Sequence, residues 1–166
     1  SRRAGDHVDV VLVVEGPERI ARAKGGPPPD AHADDLAGCV AAKVHAVDLD
    51  TGTTTVVLDV SDRVSTGGER GLLGIAVDPA VDRMYLDYTD HRGDTEVRSW
   101  PLDAAGLPVD GEGTLHLKVG QPFENHNGGN LVVGPDGALW IGMGDGVGAG
   151  DRGEVAQDDG SVLGKM

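Results

Sequence analysis

Cysteine is nearly missing from this chain. Cys39 stands alone, so no intrachain disulfide forms and no cysteine-based metal site can assemble; it reads as a small buried hydrophobe. Aromatic residues are almost as scarce, five in 166, which leaves the core to Val, Leu, Ile and Ala. No apolar run reaches the ~18 residues of a membrane-spanning helix, so insertion by that route is not expected. Basic residues are outnumbered, 14 against 28 acidic, for a net charge of −14. A surface of that sign repels phosphate backbones and anionic lipid, which disfavours nucleic-acid and membrane partners. A salt-tolerant host would favour the same composition. Helix-period segments are nearly absent. No Gly-x-Gly-x-x-Gly opens a helix, no Gly-x-Ser-x-Gly occurs and no His-x-x-x-His zinc spacing is present, so nicotinamide, serine-hydrolase and histidine-metal readings lose their usual support.

What the chain does have is 27 glycines and 9 prolines, a composition for short strands joined by tight turns. Of its 28 acids, 21 are Asp, a turn residue, and most lie between strand-like runs. An offset of 56 residues aligns Gly68 to Pro79 with Glu124 to Pro135. Each is a polar, glycine-bearing turn running into a short apolar strand that stops at proline. A second strand follows in each copy, Arg83 to Thr89 and Ala138 to Met143, and each ends at an acid, Asp90 and Asp145. An outer hairpin, Val97 to Asp103 and Gly113 to Val119, matches an earlier one, Val44 to Asp50 and Thr54 to Asp59. Val8 to Glu15 supplies the inner strand of a preceding unit.

Four short antiparallel strands per unit, repeating at about 50 to 60 residues, mark an all-β chain of the β-propeller class. Residues 1–166 then form one partial propeller domain of about two and a half blades, a β-sandwich with chance internal similarity being the alternative. Two stretches break the pattern and read as long loops, residues 25–38 and 144–160. The chain opens on Ser1 without Met and stops after an apolar pair, so it is expected to be part of a longer protein.

The repeat places Glu69 with Asn125 and Arg70 with His126, all in turns that enter the channel-lining strand of a blade. Polar groups converging on one axial mouth form the default candidate site. His126 is the candidate base: Asn125 and Asn127 can hold one ring nitrogen, and Gly128 and Gly129 admit a ligand closely. A histidine that simply caps the strand turn fits the same residues. Glu69 and Arg70 can bind ligand or pair with each other. His7, His32, His45, His91 and His116 show no partner spacing. Asp145, Asp151, Asp158 and Asp159 lack the order of an EF-hand and read as solvated loop acids.

Ser61-Asp-Arg-Val-Ser65, the run Gly68 to Pro79 and Asn125-His-Asn-Gly-Gly-Asn-Leu-Val-Val-Gly-Pro-Asp-Gly137 together resemble the soluble glucose/sorbosone dehydrogenase family. Gly142 to Asp145, Gln157-Asp158 and Ser161 to Lys165 continue the likeness in order, from Val56 to Met166, with Val8 to Ile20 a weaker match. The resemblance implies a six-bladed propeller that binds pyrroloquinoline quinone (PQQ) across its channel mouth, with calcium. It implies oxidation of aldose sugars at C1 to lactones, electrons passing to an external acceptor, and a periplasmic or secreted location. His126 falls at the family's catalytic base, which takes the anomeric hydroxyl proton as hydride passes to C5 of the quinone. Glu69 stands where the family often has a Gln that contacts cofactor and sugar. Asn125 stands beside the substrate, where glucose enzymes have Asp, which leaves the base less strongly polarised. Both departures argue against naming glucose. The quinone-carboxylate and calcium ligands are implied to come from later blades, so this chain alone is not expected to be active. A non-catalytic propeller that binds protein or glycan, and a calcium-dependent lactonase, are the competing readings.

Overall fold

In the computed structural model the described residues are 10–14 (backbone), 42–147, 150–151 and 153–166. His7, His32, Cys39 and the insertion 25–38 lie outside them. Nine strands follow one another: β1 Val10–Val14, β2 Lys43–Asp48, β3 Thr54–Asp59, β4 Leu72–Asp78, β5 Arg83–Thr89, β6 Thr95–Pro101, β7 Thr114–Val119, β8 Gly128–Val133 and β9 Leu139–Met143. Every pairing is antiparallel between sequence neighbours, giving sheets β1-β2-β3, β4-β5-β6-β7 and β8-β9. This is the meander of propeller blades, one whole and two partial. The only helical piece among the described residues is a 3-10 turn, Val155–Gln157, inside the second long loop.

β1 pairs with β2 as β5 pairs with β6, so it holds the second place in its blade rather than the channel-lining first place. No strand among the described residues occupies the first place of that blade.

The repeat extends to its irregularities. β4 skips Leu73 in its pairing with β5, and β8 skips Gly129 in its pairing with β9, at equivalent positions. The outer hairpins break register between Val44 and His45 and again between Val97 and Arg98. Bulges of this kind increase local twist and re-aim side chains, so their recurrence gives each blade the same shape.

Alternation along the strands sends apolar side chains to both faces of the middle sheet. Val44, Ala46, Leu58, Val60, Leu72, Ile75, Met84, Leu86, Tyr88 and Trp100 form the core between the first two blades. Ala76, Val97 and Leu131, with Tyr85, Leu117, Val133 and Ile141 packed against them, form the core between the second and third. Trp100 is fully buried, its indole N–H donating to the Gly111 carbonyl at 3.0 Å. Gly113 lies flat on that indole, where a Cβ would meet the ring at 2.6 Å. β4 and β8 approach so closely that a Cβ on Gly74 would run into the Gly129 carbonyl oxygen, and one on Gly129 into Leu73. Beyond β9 the apolar surface is uncovered: Leu117, Leu139, Trp140, Ile141, Met143, Val162 and Met166 line an open groove of about 650 Å³.

Candidate functional site

The turns that enter β4 and β8 come together, as the repeat predicts. Gly67 and Gly68, both with positive φ, fold the first turn so that Glu69 projects toward the second. Gly68 sits where a Cβ would meet the Glu124 carbonyl at 2.7 Å, so only glycine permits this approach. The Glu69 backbone N–H then donates to that carbonyl at 2.9 Å. In return, the Glu69 carboxylate accepts the His126 backbone N–H at 2.6 Å.

His126 itself adopts a left-handed backbone, φ 58°, a conformation that costs a side-chain-bearing residue about 1 kcal/mol or more. Its carbonyl accepts the Gly146 N–H at 3.2 Å, so both of its backbone polar groups are engaged by other segments. The ring nitrogen Nδ1 meets Asp145 Oδ1 at 2.8 Å, with the imidazole 39% exposed and the carboxyl 15%. The hydrogen bond from His126 holds the Asp145 carboxyl below the usual carboxylate range, helped by the Val147 backbone N–H at 3.3 Å. An ionised carboxylate can only accept, so Nδ1 is the donor in this bond, and whenever the ring is neutral Nε2 keeps its lone pair. A ring held in this way can accept a proton at Nε2, the arrangement that general-base chemistry requires.

Several sequence expectations change here. Asn127 does not hold the ring: it is fully buried and its amide donates to the Glu124 carbonyl at 3.1 Å, bracing the turn from beneath. Asn125, half-buried beside His126, makes no hydrogen bond to the imidazole. Gly128 and Gly129 make room for the chain itself. A Cβ on Gly128 would meet Gly142 and Gly144 backbone atoms at 2.5 Å, and Gly129 is filled by Leu73. Glu69 and Arg70 form no ion pair; Glu69 is committed to His126, while the Arg70 guanidinium lies against Gly93 in the β5–β6 turn. His91 and His116 take ordinary structural partners, the Asp62 carbonyl and the Ser99 hydroxyl.

Asp145 is the residue that sequence reasoning placed among solvated loop acids and thereby missed. The signal lay in the hairpin. Gly128 pairs with Met143, so two residues outward on each strand His126 and Asp145 face each other. The same count outward from the Leu72–Tyr88 pair gives Arg70 and Asp90. There the pairing is not used: Asp90 binds Lys118, whose ammonium also reaches Glu96 at 3.0 Å and Asp94 at 3.7 Å. Burial opposes ionisation of Asp90 and Glu96, but Lys118, Arg98 and nearby donors outweigh it, and both stay below the usual range. Among the described residues no group of three or more His, Cys, Asp or Glu gathers to hold a metal. No described helix is long and apolar enough to cross a membrane.

Known structures share this fold. The PQQ-bound aldose sugar dehydrogenase from Streptomyces coelicolor superposes with a TM-score of 0.58 at 32% identity, over 74% of this chain and 36% of that one. An oxidoreductase provisionally named a glucose dehydrogenase, from Thermus thermophilus, gives 0.55 at 25% identity over the same shares. The HIPL1 and HIPL2 proteins of Arabidopsis thaliana match over 48 residues at 46% and 42% identity, 29% of this chain and 7% of each of theirs. The chain thus spans about a third of the solved structures it resembles. The profile of the glucose/sorbosone dehydrogenases, which are oxidoreductases of the sugar dehydrogenase type, matches residues 36–166. With that profile covering most of its length and the blade geometry in agreement, the chain belongs to the glucose/sorbosone dehydrogenase family.

Proposed function

We propose that this chain carries the base-bearing part of a quinoprotein that oxidises aldose sugars at C1 to lactones. The observation that carries the reading is the His126–Asp145 pair: Nδ1 engaged by a carboxylate, Nε2 free and the ring half-exposed at the entrance to β8. Such a nitrogen accepts the proton of a C1 hydroxyl, and Asp145 stabilises the imidazolium that results. Bound PQQ supplies the acceptor for the hydride that leaves C1.

The residues present fit one side of that site. In this reading His126 is the base, Asn125 beside it would contact the sugar, and Glu69, bonded to the His126 N–H, would border the cofactor. Arg70, the cation of the first turn, lies against Gly93. Contacts to the quinone carboxylates, and the calcium ligands, belong in this proposal to residues outside this chain. We assign the protein to the periplasm or the extracellular space on the same family grounds, with an external electron acceptor.

The test uses the protein that carries this chain at its full length, loaded with PQQ and calcium and offered a panel of aldoses with a reducible dye. His126→Ala is expected to abolish dye reduction while PQQ binding, followed by its absorbance, persists. Unchanged turnover in that variant would rule out His126 as the base. Failure of the parent protein to take up quinone would favour a non-catalytic propeller that binds protein or glycan.

A further inference from the structure

We infer that Glu69 is a positioning residue, which holds His126 in its left-handed backbone and so aims the imidazole at Asp145. This rests on the proposed role of His126 as base, but the clasp itself is a matter of geometry. Glu69 lies in the turn before β4 and His126 in the turn before β8, so the contact joins two blades. Two hydrogen bonds run between Glu69 and the segment Glu124 to His126: backbone N–H to the Glu124 carbonyl at 2.9 Å, and carboxylate to the His126 N–H at 2.6 Å. A carboxylate on a backbone N–H is a charge-assisted bond, short and stronger than a neutral one. It is placed on the residue whose backbone is least comfortable, φ 58° without being glycine.

The alternatives for His126 show what the clasp prevents. Released from Glu69, the residue can relax toward negative φ, which swings Cβ and carries Nδ1 away from Asp145 Oδ1, now at 2.8 Å. Its carbonyl, packed where Gly144 lacks a Cβ and bonded to Gly146, anchors the other side. The N–H side has only Glu69 among the described residues. The residue therefore hinges on that one carboxylate. In this arrangement the carboxylate acts through His126 and need not touch sugar or quinone.

The experiment combines two readouts on the full-length protein. Glu69→Ala is expected to speed amide hydrogen exchange at His126 by at least tenfold. In PQQ- and calcium-loaded protein it is expected to lower kcat with little change in KM, by up to the about 100-fold that misplacing a catalytic group costs. Glu69→Gln keeps an acceptor oxygen at the same reach, so it should restore most of the amide protection and of kcat. Thermal unfolding of both variants identifies any global loss of fold, and the Gln variant then carries the comparison. Unchanged exchange at His126 in a folded Glu69→Ala protein overturns the clasp. Faster exchange with unchanged kcat overturns the positioning role, as does a rise confined to KM, which would instead mark a direct ligand contact. A Gln variant as impaired as the Ala variant also overturns it, in favour of the charge alone. If the parent oxidises no aldose, the proposed function fails while the exchange arm still decides the clasp.

Discussion

Replacing Asp145 by Asn should damage catalysis more than replacing it by Ala, and the reason is the direction of one proton. In the native pair the ionised carboxylate accepts, which puts the proton on Nδ1 and leaves Nε2 basic. An amide at the same place can donate to Nδ1. That stabilises the opposite tautomer, whose Nε2 carries the hydrogen and cannot accept one. In a buried catalytic triad the same exchange costs about 10⁴-fold in kcat. Here the ring is 39% exposed, so water can compete for Nδ1, and the loss should fall nearer the lower end of general-base contributions, about 100-fold. Asp145→Ala leaves Nδ1 to water with no imposed tautomer, and its loss should be several-fold smaller. Dye-coupled turnover of the full-length protein with PQQ and calcium gives kcat and KM. The nitrogen chemical shifts of His126 report the tautomer directly. Equal activity of Asp145→Asn and the parent, or an Ala variant worse than the Asn variant, would refute the argument.

Two further predictions concern the scaffold. Burial, reinforced by the adjacent Glu96 carboxylate at 2.9 Å, raises the Tyr88 hydroxyl to about 12. A phenol that resists ionisation when folded loses stability as pH rises from its unfolded value of about 10 toward 12. Denaturant midpoints measured at pH 9 and pH 11 should therefore show a loss of about 1 kcal/mol that is absent in Tyr88→Phe; an equal loss in both would refute the assignment. Gly74→Ala should cost about 1 to 3 kcal/mol, because the new methyl group meets the Gly129 carbonyl across the blade interface. Gly120→Ala, where the Cβ finds only Asp94 at 3.8 Å, should stay within about 0.5 kcal/mol and serves as the control in the same thermal unfolding series.

Much of the fold was legible because a propeller blade is a local object. Each strand pairs with its sequence neighbour, so alternation, turn residues and the 56-residue offset between Gly68 to Pro79 and Glu124 to Pro135 carried most of the topology. The bulges at Leu73 and Gly129 were not legible, since a skipped residue leaves no mark in an apolar run. The place of β1 was misjudged for a related reason: sequence shows that a strand exists, but only pairing shows which neighbour it has. His126 was recognisable from its glycine- and amide-rich turn, its partner was not. Asn125 and Asn127 are neighbours of His126 along the chain, whereas the hairpin delivers its partner from across, at Asp145. Glu69 was found as a member of the mouth, yet its bond to a backbone N–H could not be anticipated from side-chain chemistry.

The two positions that flank each inner hairpin, one before its first strand and one after its second, have a consequence for how such a protein can change. In one blade they hold Arg70, packed against Gly93, and Asp90, bound in an ion cluster; in the next they hold His126 and Asp145, bonded to each other. The strands that carry them share their bulges, but the turns differ: His126 is left-handed, φ 58°, and Arg70 is not. The His126–Asp145 contact therefore depends on the turn that aims the ring as well as on the two side chains. A tandem array of this kind can gain, lose or relocate such a pair from one copy to another while its strands and cores stay as they are, provided the entering turn is reshaped with it.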